Sequence, residues 1–383
     1  MGNAHFKHAK ITGVKLVLPE RKISIDDEVC YYDGDVKRVQ RMKAFIGLGD
    51  RYVVDPGVTC LDLSHAAAER LIAEMRIDPE SIDGIIVASN CHDFSGPADA
   101  CIEQGRLGLK DSATCLDLNG LSCSSYVHAL LIAHSFIENG VMKRCLVLSG
   151  DMNSTHSDVR NRNSNMLYSD AGSATIVEWT EDETPSWFNT GTHGKGWDRI
   201  IAPASGYKVP IRKDIAGIEV TDSKGNVWHL WDEILKGFDI FQFTMYAAPA
   251  SIKALFEYSG LTADDIDYFP MHQANGQIVG TIARRAGVPK TKTSGSTFSK
   301  YANCGAPSVV SAICDQLFGK DVSRVMLVTF GVGLSWGSCI VDLKGLHNGG
   351  VEFYHTPEDL PTREETIKKW ISHFMENDNG DEQ

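Results

Sequence analysis

Cys123 is the cysteine whose surroundings best suit nucleophilic chemistry. It follows the strand-like segment CLDL at 115–118 and precedes a helical pattern with an apolar stripe from Tyr126 to Ile137. A sulfur at a helix N-terminus faces unpaired backbone N–H groups, which stabilise the reactive thiolate form. A buried structural thiol is the alternative for any single member of the chain's 10 cysteines. Position therefore singles out Cys123.

His272 is the second candidate for chemistry. It lies in MHQAN at 271–275, between an apolar segment and the helical pattern QIVGTIARRAG at 277–287. In α/β proteins, functional side chains collect at the carboxyl ends of strands, and an imidazole there can transfer or donate a proton. A hydrogen-bonded loop histidine is the other interpretation. The residues alone leave both open.

Two further segments could supply polar groups to a site. Asn303 lies in YANCGAPS at 301–308, where it or Cys304 could instead cap a helix that begins near Pro307. The segment FGVGLSWG at 330–337 predicts a glycine-rich turn whose backbone N–H groups could face an oxyanion. Such turns are common, so this second signal is weak by itself.

An internal repeat indicates how these segments come together. AERLIAEMRIDPESIDGIIV at 68–87 and SIKALFEYSGLTADDIDYFPM at 251–271 share a helical pattern, a break, and an Ile-Asp pair before an apolar segment. Each copy continues to a strand, RCLVLS or RVMLVT, and then to a last strand after a glycine-rich turn. In two related halves, the Cys123 and Asn303 segments correspond, and we expect them to meet between the halves.

The repeat predicts an α/β fold with two pseudo-symmetric halves. Strands rich in β-branched residues alternate with longer helical segments, which favours mostly parallel sheets covered by helices. We expect an N-terminal half at 1–180, an inserted loop region at 181–236 that shapes a substrate entrance, and a C-terminal half at 237–345. Residues 346–383 predict an amphipathic helix, with Ile367, Trp370, Ile371 and Phe374 on one face, and an acidic tail.

Composition excludes several classes of protein. The net charge of −13 disfavours nucleic-acid binding, and no apolar run is long enough for a membrane helix. The N-terminus has no signal-peptide pattern, and the cysteines include no CxxC pair. We therefore expect a cytoplasmic protein without a metal site or a resident cofactor, in which most thiols are packed rather than bridged.

These motifs together carry a family resemblance. From about Ile11 to Leu343, through GLGDRYVVDPGVT, DLNGLSCSSYVHAL, SDAGSA, GLTADDIDYFPMHQAN, YANCGAPS and FGVGLSWGS, the chain resembles the β-ketoacyl-ACP synthase III branch of the thiolase-fold condensing enzymes. The order and spacing of HQAN, the cysteine segment and the asparagine segment make this signal specific. The resemblance implies a thiolase fold, with its layered αβαβα arrangement.

The resemblance also implies a reaction and its residues. Cys123, His272 and Asn303 take the places of the family's catalytic triad, and the backbone N–H groups of Cys123 and Val332 take those of its oxyanion hole. The expected reaction loads an acyl group from acyl-CoA or an acyl carrier protein onto the cysteine. The loaded group then condenses, with loss of CO₂, with malonyl-ACP or malonyl-CoA.

Partners and assembly follow from the same resemblance. It implies a homodimer, with the loop CHDFSGPADA at 91–100 near the dimer contact and Phe94 against the partner's acyl tunnel. A locally packed loop residue is the alternative for Phe94. Gln277 stands where the family has a basic residue, so Arg284 and Arg285 are the remaining candidates for docking an acidic carrier, unless they form only a solvated helix face.

Two other functions remain as alternatives. A thiolase-fold acyltransferase would pass the group on Cys123 to an oxygen or nitrogen nucleophile without decarboxylation. A silent partner subunit would keep the fold only for its dimer interface. Retention of both His272 and Asn303 favours condensation over the first, and the intact triad disfavours the second.

Overall fold

The computed structural model describes residues 2–377 of the chain. In chain order the strands are β1 Gly2–Phe6, β2 Ala9–Pro19, β3 Lys22–Ser24, β4 Asp50–Tyr52, β5 Gly84–Ser89, β6 Thr114–Leu118, β7 Arg144–Asp151, β8 Ala171–Trp179, β9 Ser186–Thr192, β10 Ile200–Ile201, β11 Glu219–Thr221, β12 Val227–His229, β13 Ile234–Leu235, β14 Arg324–Gly331, β15 Ser335–Asp342 and β16 His347–Tyr354. The α-helices are α1 Val36–Ile46, α2 Cys60–Met75, α3 Asp99–Arg106, α4 Ser125–Glu138, α5 Lys213–Ala216, α6 Gly237–Ser259, α7 Gly276–Ala286, α8 Ser296–Tyr301, α9 Ser308–Gln316 and α10 Arg363–Asn377.

Two sheets organise the chain. The larger has six strands in the order β16-β2-β8-β7-β5-β6, and the smaller has four in the order β1-β9-β15-β14. In the larger sheet β5 runs parallel to β6 and β7, as the alternation of strands and helices predicts. The four strands of the smaller sheet pair antiparallel, so the expectation of mostly parallel strands is wrong there. Only three residues separate β14 from β15, which is too short for a crossover.

Two helices, α4 and α9, fill the space between the sheets. Tyr126 and Leu130 of α4 and Val310 of α9 are fully buried, and they pack with Val147 of the larger sheet and Leu327 of the smaller one. The apolar stripe predicted from the sequence therefore faces the centre of the protein. Burial of apolar surface on both sides of these helices binds the two sheets together.

Further helices cover the outer faces of both sheets. Leu61 and Leu71 of α2 pack on Leu148, which points away from α4 because successive residues of a strand face opposite sides. Ile252 of α6 packs on Met326 in the same way, in a cluster that α7 joins. The resulting order of layers is helix, sheet, helix, sheet, helix, which is the αβαβα arrangement that the resemblance implied.

The chain crosses between the halves more often than the sequence predicted. β9 lies inside the predicted inserted loop of 181–236, yet it pairs with β15 in the smaller sheet. β1 belongs to that sheet too, and β16, within the predicted C-terminal extension, adds a parallel strand to the larger one. The sequence of β9, SWFNTGT, is short and largely polar, so its strand character depends on tertiary pairing.

The apolar segment before His272 is only partly a strand. Tyr268 and Met271 form isolated parallel bridges with Val325 and Val328 of β14. Pro270 lies between them and has no N–H to donate to a ladder, which interrupts regular pairing. The segment nevertheless runs along β14 and delivers His272 to its end.

The C-terminal helix α10 lies on the surface. The apolar face predicted for it is largely exposed, with Ile371 59% and Phe374 66% accessible, while Trp370 contacts Phe94 edge to face at 5.8 Å between ring centroids. Residues 378–383, most of the predicted acidic tail, lie outside the described residues. Within 2–377 no helix has the length and apolar character needed to cross a bilayer.

The contact between α2 and β8 offers a test of this packing. A Cβ added at Gly172 in β8 would lie 2.7 Å from Leu63 Cβ and nearer still to the backbone of Ser64. Gly172→Ala is expected to lower the free energy of unfolding by about 3 kcal/mol, the upper end of the usual cost of overpacking. Urea unfolding at fixed protein concentration measures the change.

Gly105→Ala is the matched control for this substitution. Gly105 lies in α3 with open space around its Cα, so the added methyl group meets no atom. Alanine favours a helix over glycine by about 0.5–1 kcal/mol, and the control should be neutral or stabilising. Equal effects of the two substitutions would contradict a close helix-to-sheet contact at Gly172.

Candidate active site

One cavity of about 440 Å³ brings Cys123, His272 and Asn303 together. Phe330 and Gly331, at the end of β14, line the same space. Cys123 belongs to the first half of the repeat and the other residues to the second. The expected meeting of the two halves at the site is therefore what the fold produces.

Cys123 lies in a short 3-10 turn, Ser122–Ser124, directly before α4. Its sulfur is 3.7 Å from the Ser122 hydroxyl oxygen. The predicted position at a helix N-terminus is correct, so backbone N–H groups of the first turn surround the cysteine.

Gly331 contacts the loop that carries Cys123. A Cβ at Gly331 would lie 2.8 Å from Leu121 O, 2.9 Å from Ser124 N and 3.1 Å from Cys123 N, so only glycine fits. This approach brings the turn that contains Val332 beside the backbone N–H of Cys123. The two groups predicted for the oxyanion hole thus lie on adjoining segments, and their role stays a prediction.

Asp151, at the end of β7, ties the loops of the site to one another. Its carboxylate accepts hydrogen bonds from Ser122 Oγ at 3.0 Å, Ala306 N at 2.7 Å and Asn90 N at 3.0 Å. Gly305 has a φ of +66°, and a Cβ there would lie 2.5 Å from Asp151 Cβ. Burial raises the pKa of Asp151 to about 6.

The electrostatic surroundings of Cys123 oppose its ionisation. Burial raises the pKa of the thiol well above its ordinary value, and the negative charge of Asp151 acts in the same direction. The Ser122 hydroxyl lowers the pKa, but its effect is smaller. Burial and the nearby carboxylate therefore act against the stabilised thiolate that the helix N-terminus predicts.

His272 is a buried, neutral imidazole. Its backbone N–H donates to Val328 O at 2.8 Å, and its ring meets Phe330 edge to face at 4.9 Å between centroids. Nδ1 is buried, and no residue in 2–377 hydrogen-bonds to it. Burial lowers the pKa of His272 to about 3, so at neutral pH the ring carries one proton and no charge.

The backbone N–H and the backbone carbonyl of Asn303 both form hydrogen bonds. Its N–H donates to Leu167 O at 2.9 Å, and its carbonyl accepts from Ser169 N at 2.9 Å. The side-chain oxygen Oδ1 accepts from Gly305 N at 3.0 Å. This bond orients the amide, and the Nδ2 hydrogens are the donors that the side chain can offer to the cavity.

The residues immediately before Cys123 and Asn303 both have a positive backbone φ angle. Ser122 has a φ of +40° and Ala302 a φ of +54°, although neither is glycine. Such conformations cost about 1–3 kcal/mol each and persist only where the surroundings impose them. Asp151 fixes the Ser122 side chain, and the hydrogen bonds of Asn303 fix the second position.

The comparisons with known proteins agree with this geometry. Residues 116–196 match the family described as 3-oxoacyl-[acyl-carrier-protein (ACP)] synthase III, and residues 256–343 match its C-terminal domain. A putative 3-oxoacyl-[acyl-carrier-protein] synthase 3 of Campylobacter jejuni is 33% identical over 350 residues, which cover 91% of this chain and 98% of the relative. The chain belongs to the 3-oxoacyl-ACP synthase III family.

Other synthase III relatives and solved structures extend the match. The β-ketoacyl-[acyl-carrier-protein] synthase III of Clostridium acetobutylicum is 31% identical, covering 73% of this chain and 83% of the relative. The 3-oxoacyl-(acyl-carrier protein) synthase of Burkholderia xenovorans LB400 superposes with a TM-score of 0.84 at 28% identity, over 92% of this chain and 99% of that one. OleA of Xanthomonas campestris, at 17% identity and a TM-score of 0.73, shares the fold alone. The predicted thiolase fold is confirmed.

This synthase III site contains groups that the sequence did not single out. Tyr168 lines the cavity, and its hydroxyl donates to Glu233 Oε1 at 2.8 Å. Asp151 was visible only as an acid closing an apolar strand, and nothing in the sequence connects Tyr168 with Glu233. These residues act through contacts between segments far apart in the chain.

Three weaker candidates of the synthase III chain lie outside the cavity wall. Phe94 is 44% exposed and contacts Trp370 of α10. Arg284 and Arg285 are both exposed on the last turn of α7, and Arg285 also donates to Met245 O at 3.0 Å. Arg285 therefore links α7 to α6 through this hydrogen bond.

The raised pKa of Cys123 gives a testable pH dependence. Only the thiolate reacts with iodoacetamide, so the alkylation rate of Cys123 should still be rising at pH 10, with no plateau near neutrality. Peptide mass spectrometry after timed exposure between pH 6 and pH 10 measures this rate. The exposed Cys30 supplies an internal reference for reagent concentration. A plateau below pH 8 would mean that the helix N-terminus prevails over burial and Asp151.

Proposed function

We propose that this synthase III-family chain catalyses a decarboxylative Claisen condensation. An acyl group moves from acyl-CoA or an acyl carrier protein to Cys123 and then joins the two-carbon unit of malonyl-ACP or malonyl-CoA. The observation that carries the proposal is that a neutral imidazole and a side-chain amide line the same cavity as the cysteine. The similarity to 3-oxoacyl-ACP synthases III supports it.

In the first step, Cys123 loses its proton and the sulfur attacks the thioester carbonyl of the donor. The carbonyl oxygen gains negative charge, which the backbone N–H groups of Cys123 and Val332 are suited to stabilise. The intermediate expels the donor thiolate, which takes up a proton. A thioester on Cys123 remains. Because burial raises the pKa of Cys123, deprotonation is a substantial part of this barrier.

In the second step, malonyl thioester loses CO₂ and becomes an enolate. The new charge develops on the thioester oxygen, where a hydrogen on His272 and the Nδ2 hydrogens of Asn303 can reach it as two neutral donors. Both donors are uncharged at neutral pH, because the low pKa of His272 keeps its imidazole neutral. The enolate carbon then attacks the acyl group on Cys123 and releases a 3-oxoacyl thioester and the free thiolate.

The alternative acyltransferase would use the same thioester differently. His272 would act as a general base for an alcohol or amine, and Asn303 would only orient the acceptor. The fixing of Asn303 Oδ1 by Gly305 favours condensation, because it presents amide hydrogens, not a proton acceptor, to the cavity.

Partners and assembly belong to the same proposal. We infer a homodimer formed along β6, the last strand of the larger sheet. Its outer edge pairs with no strand of residues 2–377, and its sequence TCLDL lacks the lysine or proline that protects exposed edges. The Phe94 loop borders this edge, because His92 is 3.5 Å from Asp117 of β6. Arg284 and Arg285, both exposed, are the cations proposed for carrier docking.

Carbon dioxide release separates condensation from plain acyl transfer. Wild-type enzyme acylated at Cys123 should release CO₂ from carboxyl-labelled malonyl-ACP or malonyl-CoA. Asn303→Ala and His272→Ala should each slow this release about 100- to 1000-fold, the usual cost of one lost oxyanion donor, with a smaller effect on acylation. Intact-mass spectrometry follows acylation in parallel with the counting of released label.

The cysteine variants control this experiment. Cys123→Ala should form no acyl adduct, whereas Cys304→Ala and Cys145→Ala, at two buried thiols outside the cavity wall, should keep it. Acylated wild-type enzyme that releases no CO₂ from either malonyl thioester would exclude condensation and support the acyltransferase.

The dimer has its own test. Sedimentation velocity at micromolar concentration should give twice the chain mass of 42.0 kDa. An unpaired strand edge with apolar neighbours is the reason for this expectation. A single species at the chain mass would rule out the proposed assembly without affecting the chemistry on Cys123.

A further inference from the structure

Tyr168 presents a polar group to the cavity that contains Cys123. It lines the space together with Cys123 and Asn303, and its residue is only 8% exposed. Leu167 and Ser169, its chain neighbours, bond to the backbone of Asn303, so Tyr168 cannot shift without disturbing that residue. The position of the phenol in the wall is therefore well defined.

Glu233 determines what the Tyr168 hydroxyl can do. The tyrosine O–H donates to Glu233 Oε1 at 2.8 Å, and no other side chain in residues 2–377 forms a hydrogen bond with this carboxylate. Burial raises the pKa of Glu233 to about 7, so the carboxylate form is populated at neutral pH and dominates above it. In that form Glu233 can only accept hydrogen bonds.

The hydrogen bond to Glu233 makes the Tyr168 oxygen an acceptor toward the cavity. The single O–H of Tyr168 is used on Glu233, which leaves only the lone pairs of the phenol oxygen for the cavity. A plain alkyl chain against this oxygen would remove water from its lone pairs without supplying a donor, which costs binding free energy. A substrate group that donates a hydrogen bond removes that cost.

The rest of the cavity wall is mixed. Leu167, Ile200 and Leu235 are apolar lining residues, and Ile200 pairs with Leu235 between β10 and β13. Asn163, Lys224, Thr244 and Asn275 are polar lining residues of the same cavity. The apolar residues accommodate the hydrocarbon part of an acyl group, and Tyr168 adds an acceptor oxygen to the wall.

We propose that the Tyr168–Glu233 pair selects acyl groups that carry a hydrogen-bond donor, a hydroxyl or an ammonium, over unsubstituted alkyl acyl groups. Tyr168 contacts the substituent, and Glu233 is a positioning residue that keeps the phenol oxygen an acceptor. The inference rests on the proposed acylation of Cys123 and names its substrate class. It does not depend on what happens to the acyl group afterwards.

The test compares acylation of Cys123 by N-acetylcysteamine thioesters, which avoid the choice between CoA and carrier protein. The set is hexanoyl, its analogues with a hydroxyl at carbon 3, 4, 5 or 6, and 6-aminohexanoyl, followed by intact-mass spectrometry. At least one donor-bearing thioester should acylate the wild type about tenfold or more faster than hexanoyl in kcat/KM. Hexanoyl acylating as fast as every analogue overturns the proposal.

Variants assign the preference to the pair. Tyr168→Phe should reduce the ratio of the best hydroxyacyl rate to the hexanoyl rate to about one, because the acceptor oxygen is gone. Glu233→Leu frees the tyrosine O–H to donate into the cavity, so it should reduce the preference for 6-aminohexanoyl, which can only donate, more than the preference for a hydroxyacyl group, which can also accept. Glu233→Gln, which keeps an acceptor oxygen, should retain much of both preferences. Tyr207→Phe is the matched control, since Tyr207 is 94% exposed, and its ratio should equal that of the wild type.

The outcomes distinguish this inference from the proposed function. No adduct on Cys123 from any thioester contradicts the acylation step, and the inference falls with it. Adducts that form with a hexanoyl preference contradict the inference alone. A donor preference that survives Tyr168→Phe also overturns it, because another part of the cavity must then supply the acceptor.

Discussion

The site depends on one buried carboxylate. Asp151 accepts hydrogen bonds from the serine before the nucleophile, from the segment after Asn303, and from the loop that leads to Phe94. Asp151 therefore holds segments from both halves of the repeat close together. The arrangement has an electrostatic cost, since the same carboxylate raises the pKa of Cys123. Precise placement of the Cys123 and Asn303 loops and easy ionisation of the thiol are therefore in conflict.

The sequence predicted the parts of the site that are encoded locally. A helix start after CLDL, the polar residues of MHQAN and the glycine-rich turn at 330–337 each have a signal within a short window, and each reaches the cavity wall or touches it. The internal repeat added one non-local fact, namely that the Cys123 and Asn303 segments face each other. The layered fold followed from the same repeat and from the family resemblance.

What the sequence could not predict depends on contacts between distant segments. The bond between Tyr168 and Glu233 joins residues that are far apart in the chain, and neither has a periodic or motif signal. β9 becomes a strand only because β15 and β1 pair with it. The surroundings of Cys123 are a related case, because a helix N-terminus is visible in the sequence, whereas the burial and the neighbouring Asp151 that raise the pKa of the thiol are not.

The buried, uncharged His272 keeps the same protonation state across the physiological pH range, because burial places its pKa at about 3. The carboxyl groups of Asp151 and Glu233 behave differently, since burial raises their pKa values to about 6 and about 7. A change in internal pH would therefore alter the charge around Cys123 and the hydrogen bonds of Asp151 to the loops of both halves, while the proposed enolate donor on His272 stays neutral.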